Sequence, residues 1–291
     1  MSAAGQGLNK PSHRADKTGA RLAILSGGGK VPLAVAAAAA ASGRDFVVLA
    51  LRGQVGPEVE RFTHEWLHVG EVGRLLKLLA KHRCEELVIV GQVRRPDFKD
   101  IRFDFGGMMN LPRILAMAIG GDNHLLSSMI SFIEERGYRV VGPHEIAPQL
   151  ILGEATVGRR KPSEQDKQDI ALGRRILAAL GPFDVGQGVV IDRGRVIAVE
   201  AAEGTDAMLQ RCAELRRSQV KRPSGVLVKA PKQGQELRVD LPTVGARTVE
   251  AAAEAQLVGI AAQAGATLIA DTAEMAAAAK RLRLFVTGFP G

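Results

Sequence analysis

The stretch Leu22-Ala-Ile-Leu-Ser-Gly-Gly-Gly-Lys30-Val-Pro-Leu-Ala-Val-Ala36, running through five more alanines to Ser42-Gly43, decides the fold. A short apolar run, three glycines and an alanine-rich segment with Pro32 in its first turn and Gly43 as its stop make a β-turn-α unit. Outward from it the alternation repeats. Phe46 to Leu51 is an apolar run and Trp66 to Val69 a short strand. Glu71 to His82 carries Val72, Leu75, Leu76 and Leu79 at helical spacing, and Leu87 to Val90 reads as a buried strand. Leu111 to Ile119 and Asp122 to Arg136 predict two helices before a strand at Tyr138 to Val141. Strands alternating with helices imply a parallel sheet covered on both faces.

Pro143, Pro148 and the basic run Gly158 to Pro162 break this rhythm, and a second pattern follows. Ser163 with Asp166 resembles a capping box ahead of a helix to Leu180. Val189 to Ile191, the turn Asp192-Arg193-Gly194 and Val196 to Val199 predict a β-hairpin, and Thr205 to Arg217 a helix. Further strands are expected at Val226 to Val228, Leu257 to Ala261, Thr267 to Ala270 and Leu284 to Val286. The fold class is therefore α/β with two domains: residues 21–155, Rossmann-like with a mainly parallel sheet, and 160–291, a mixed sheet with helices. Residues 1–20 are polar, lack an apolar signal region, and are expected to be a disordered extension.

The chain has 291 residues, 46% of them hydrophobic, and 39 Lys plus Arg against 31 acids, a formal charge of +8. A basic chain favours anionic partners. With aromatics at only 4% there is little stacking surface, which argues against nucleic acid. Cys84 and Cys212 lack metal-ligand spacing, and a reduced, cytoplasmic setting is expected. The apolar run Val31 to Ala41 contains Pro32 and is too short to span a bilayer.

Gly27-Gly28-Gly29 lies between strand and helix, where free N–H groups hold phosphate. Pro32 spoils the dinucleotide fingerprint and Val31 the P-loop, so an oxidoreductase is a weaker reading. His64-Glu65-Trp66-Leu67-His68 matches a zinc-protease pattern, but its surroundings suggest a strand, which would not face both imidazoles to one metal. Gly91-Gln92-Val93-Arg94-Arg95-Pro96 follows a buried strand, so Gln92 stands at the ligand-binding rim of the sheet. Gly121-Asp122-Asn123 suits a helix start.

From Val199 to Gly245 the acids and lysines gather. Glu200 and Glu203 end a strand ahead of Gly204-Thr205-Asp206, where Thr205 suits a helix cap and Asp206 the helix dipole. Lys229 and Lys232 flank Ala230-Pro231 after a strand, and Asp240 precedes Leu241-Pro242. Lysine suits phosphate, and carboxylates suit Mg²⁺.

These motifs, with Asp184-Val185-Gly186-Gln187-Gly188 between them, fall in an order that resembles the LpxI family, the UDP-2,3-diacylglucosamine pyrophosphatases of lipid A biosynthesis. The resemblance covers about Arg21 to Gly288. It implies hydrolysis of UDP-2,3-diacylglucosamine to 2,3-diacylglucosamine 1-phosphate (lipid X) and UMP, with water attacking the α-phosphorus and Mg²⁺, or Mn²⁺ in its place, assisting. Two domains would enclose the ligand. Asp240 would be catalytic, with Lys229 and Lys232. Asp240, helped by Glu200 or Glu203, would hold the metal, and Gly27, Gly28, Gly29, Gln92, Asp122, Gln187, Thr205 and Asp206 would bind substrate. The expected partners are a lipid-linked UDP-sugar and, peripherally, the cytoplasmic face of the inner membrane, with a homodimer left open. The chain departs from the family pattern in its N-terminal extension, in Gln233 where proline is expected, and in Asn123 where a second aspartate is common.

Overall fold

The computed structural model describes residues 19–93, 104, 122–218 and 220–291, without the side chains of 122–124. The predicted helix at Leu111 to Ile119, the Arg94-Arg95-Pro96 loop and nearly all of the N-terminal extension lie outside those residues. The first half of the chain builds β1 (Leu22–Ser26), α1 (Val31–Ala41), β2 (Phe46–Leu51), β3 (His64–Leu67), α2 (Val72–Lys81), β4 (Glu86–Val90), α3 (Asp122–Glu134), β5 (Arg139–Val141) and the short α4 (Pro143–Ile146). The five strands form one parallel sheet in the order β3-β2-β1-β4-β5. β1, central and apolar, is buried along its whole length. Chain order reverses between β1 and β4, so their carboxyl ends open a crevice where α/β sheets usually take ligands.

The second half contributes β6 (Thr156–Gly158), α5 (Glu164–Leu180), β7 (Gly188–Asp192), β8 (Arg195–Val199), α6 (Gly204–Arg216), β9 (Val226–Lys229), β10 (Thr243–Val244), α7 (Ala246–Glu254), β11 (Gly259–Gln263), β12 (Leu268–Ile269), α8 (Thr272–Leu282) and β13 (Phe285–Phe289). Its six-stranded sheet runs β6-β13-β11-β9-β7-β8 and is mixed: β9, β11 and β13 are parallel, while β6, β7 and β8 join antiparallel. Helix α5 starts at Ser163, whose hydroxyl and the Asp166 carboxylate cap each other's backbone N–H groups. It packs on the face carrying Val189, Ile191, Val226 and Val228. Helices α6, α7 and α8 cover the opposite face, with Met208, Leu209, Val249, Ala252, Met275 and Ala279 against Val190, Leu227 and Ile260.

The two halves share a core. Leu241, Ala266 and Leu268 pack with Val141, Ile146, Ala147 and Leu150 of the first half, and Val239 joins the cluster on the other side of the parallel sheet. Lys30, at the start of α1, is ion-paired with Glu274 in the first turn of α8.

Among the described residues the expected elements are present with ends shifted by a residue or two, except that the strand expected to stop at Val286 runs on to Phe289. Helices α7 and α8 and the edge strand β6 come in addition. β6 pairs with β13, and the Thr156 and Thr287 hydroxyls bond at 2.7 Å.

Candidate active site

Side chains directly opposite one another in an antiparallel ladder share a face. Gly188, at the start of β7, pairs with Lys229 at the end of β9, and the Glu200 N–H just past β8 donates to the Gly188 carbonyl at 2.8 Å. Glu200, Gly188 and Lys229 thus form a row across three strand ends, on the face covered by α6. The middle position must be small: a Cβ on Gly188 would lie 2.5 Å from Glu200 Oε2, and one on Gly186 2.1 Å from the Glu200 carbonyl oxygen. Over this gap Lys229 Nζ donates to Thr205 Oγ1 at 2.5 Å, and that hydroxyl donates to Glu200 Oε1 at 3.0 Å.

Lys229 is only 5% exposed. Burial pushes its ammonium below the ordinary lysine range, while Glu200, Asp206 and Asp240, in that order, pull it back up. Glu200 Oε2 is buried without a hydrogen-bond partner among the described residues, 3.9 Å from the Lys229 nitrogen. Asp240 is half-buried. Gln187 Nε2 donates to its Oδ2 at 3.2 Å, and the Gln235 amide donates to its carbonyl at 2.5 Å. Gln235 also accepts from the Lys232 N–H, so one buried side chain pins both ends of the loop that delivers Asp240.

The structure gathers Glu200, Thr205, Lys229, Asp240 and Gln187, with Asp206 acting on Lys229 from the first turn of α6 while its exposed carboxylate also meets Arg247. It disperses others. The N-cap of α6 is Glu203, not Thr205, and the Glu203 carboxylate binds Arg211 on the surface. Lys232 is ion-paired with Asp184. Gly27 and Gly28 are the crossing point of two loops: their N–H groups donate to the Val90 and Gln92 carbonyls, and a Gly27 Cβ would lie 2.6 Å from the Gln92 oxygen. Those two amides are therefore committed to the chain itself. Gly29 is exposed at φ +95°, and Gln92 is exposed on the same rim. Asp122 opens α3, its side chain outside the described residues. His64 to Leu67 is strand β3, and Glu65 binds Lys81 and His82, so the zinc-protease reading has no helix to stand on. Residues given no site role from the sequence are Gly188, quoted there only within its motif, Gln235 and Arg238. The Gly186-Gln187-Gly188 alternation before an apolar run was the available signal for the first.

Among the described residues no group of three or more His, Cys, Asp or Glu side chains is placed to hold a metal ion. Mg²⁺, however, needs only one or two carboxylates when substrate phosphate and water complete its shell. Asp240 and the Glu200 carboxylate, both acting on Lys229, fit that requirement in kind; Glu203 does not join them. Among the described residues no helix is long and apolar enough to cross a membrane.

Profiles of the LpxI N-terminal domain and the LpxI C-terminal domain match residues 21–150 and 153–287. The UDP-2,3-diacylglucosamine pyrophosphatase LpxI of Caulobacter vibrioides is 39% identical over 271 residues, 92% of this chain and 97% of that protein. The chain belongs to the LpxI family. The row Glu200-Gly188-Lys229 lies within the LpxI C-terminal domain, as does Asp240. Among solved structures, N5-carboxyaminoimidazole synthetase from Staphylococcus aureus aligns at TM-score 0.25 and 14% identity, covering 64% of this chain and 42% of that one. A likeness that slight bears on neither fold nor function.

Proposed function

We propose that this chain hydrolyses the diphosphate of UDP-2,3-diacylglucosamine to 2,3-diacylglucosamine 1-phosphate and UMP, in lipid A biosynthesis, and that Mg²⁺ is required. Family membership supports the reaction. The observation that carries its placement is the buried Lys229 ammonium ringed by Glu200, Thr205 and Asp240 at the end of β9.

A diphosphate carries negative charge that shifts onto its oxygens as a P–O bond breaks. Lys229, largely stripped of water, meets that charge where electrostatic help is strongest. Glu200 and Asp240 would hold Mg²⁺, which when bound polarises phosphoryl oxygens and offsets their charge. Gln187 keeps the Asp240 carboxylate oriented through its amide. In the reaction, the oxygen of water bonds to the α-phosphorus, the bridging P–O bond breaks, its electron pair goes to the sugar 1-phosphate, and a proton is released. Lys232, tied to Asp184, and the Gly29–Gln92 rim of the N-terminal crevice would contact the substrate farther from the reacting phosphorus. The basic balance of the chain suits peripheral attachment to anionic lipid.

Incubation with UDP-2,3-diacylglucosamine and Mg²⁺, with UMP followed by chromatography, tests this reading. Wild-type protein should release UMP, chelation of the metal should stop it, and Asp240→Ala should lower turnover by ~10²–10³ with the unfolding temperature near wild type. Wild-type turnover by Asp240→Ala would remove the site from this place in the fold.

A further inference from the structure

The Thr205 hydroxyl has one proton to give and gives it to Glu200, so toward Lys229 it only accepts. It therefore separates two opposite charges that would otherwise meet. Lys229 Nζ and Glu200 Oε2 stand 3.9 Å apart, beyond hydrogen-bond distance, and Oε2 has no hydrogen-bond partner among the described residues although it is buried. A buried carboxylate oxygen left unpaired beside an ammonium calls for an explanation.

Helix formation does not supply one. The N-cap of α6 is Glu203, and no side chain caps that helix end, so the Thr205 hydroxyl is not spent on the helix. What fixes Thr205 is packing: Met208 and Leu209, one turn on, are fully buried against the sheet and hold the start of α6 over the row. The glycine at 188 keeps the ground beneath Oε2 clear.

We propose that Thr205 is a positioning residue whose hydroxyl holds the Lys229 ammonium and the Glu200 carboxylate apart, so that each stays available to the diphosphate and its counter-ion instead of neutralising the other in a direct ion pair. This rests on the hydrolase reading above, and it replaces the expectation that Thr205 grips the sugar or phosphate itself. Lys229 keeps two of its three N–H donors for the ligand, and Glu200 keeps Oε2.

The test compares Thr205→Val, which keeps the shape and removes the hydroxyl, with Thr205→Ser, which restores it, and with wild type in the same assay. Thr205→Val should lose about 10–100-fold in kcat, as when the hydrogen-bond partner of a ligating group is removed, while KM and unfolding temperature stay near wild type. Thr205→Ser should recover most of kcat. A crystal structure of Thr205→Val should show Lys229 Nζ and Glu200 Oε2 closed to about 2.8 Å. Three results would each overturn the proposal: a raised KM with kcat retained, an equal loss in the serine variant, or a charge pair still 3.9 Å apart in the valine variant. Should wild type itself release no UMP, the hydrolase reading fails, and the crystallographic distance still decides whether Thr205 keeps the charges apart.

Discussion

With only a hydrogen for a side chain, Gly188 leaves the space in which Lys229 and Glu200 are arranged, because a Cβ there would lie 2.5 Å from Glu200 Oε2. That oxygen ends a buried side chain already bound to Thr205, so it has little freedom to retreat. Gly188→Ala is expected to lower kcat about tenfold or more through misplacement of the carboxylate, read by steady-state UMP release. Activity at the wild-type level would mean that Glu200 does not need its present position. The same scale shows what the sequence could and could not convey. Glu200 and Glu203 look alike as acids after a strand, yet one is buried in the row and the other faces Arg211 on the surface. Two residues separate them, and only the angle at which α6 leaves the strand tells them apart. Lys229 and Lys232 also part, one buried over the row and the other tied to Asp184.

Among elements, the segment from Gln235 to Leu241 connects Asp240 to the rest of the molecule. Val239 and Leu241 pack into clusters on the two sides of the N-terminal sheet. Arg238 binds Glu236 within the segment and reaches Glu134 of α3 at 2.7 Å. Asp240 therefore sits on a strap sewn into the other half of the protein. Arg238→Met should leave stability almost unchanged, since partly exposed ion pairs are worth about 0–1 kcal/mol, but should reduce kcat/KM about tenfold as Asp240 loses its anchor. An unaltered kcat/KM would show that Val239 and Leu241 suffice. Glu236 is held below its ordinary value of 4.5, chiefly by its hydrogen bond from Arg238. A depressed carboxylate contributes stability that is present above its unfolded value and lost as pH falls through the folded one. In acid titration Glu236→Gln should lack this part of the loss below about pH 4.5, and a denaturation curve identical to wild type would contradict it. Most elements were legible because apolar runs and caps mark them, as Ser163 and Asp166 mark α5. Helices α7 and α8 were not read, since their alanines blur the contrast between faces. The Asp271 cap, which accepts from the Glu274 N–H, was a usable signal for α8. β6 has no local signature and exists by pairing with β13.

At the scale of the whole molecule, a parallel sheet with its crevice between β1 and β4 is joined to a mixed sheet whose charged row lies at one end of β7, β8 and β9, the two sharing a core through Leu241, Ala266 and Leu268. The alternation of apolar runs announced both sheets; how they dock depends on contacts between residues up to 244 positions apart, such as Lys30 with Glu274, which local pattern does not encode. The reaction proposed for this assembly makes a definite statement about one bond. Turnover of UDP-2,3-diacylglucosamine by the wild-type protein in ¹⁸O-labelled water, followed by mass spectrometry of both products, tests it most directly. Water attack at the α-phosphorus predicts that UMP carries the heavy oxygen and the sugar 1-phosphate does not; label in the sugar 1-phosphate, or no UMP at all, would contradict the account.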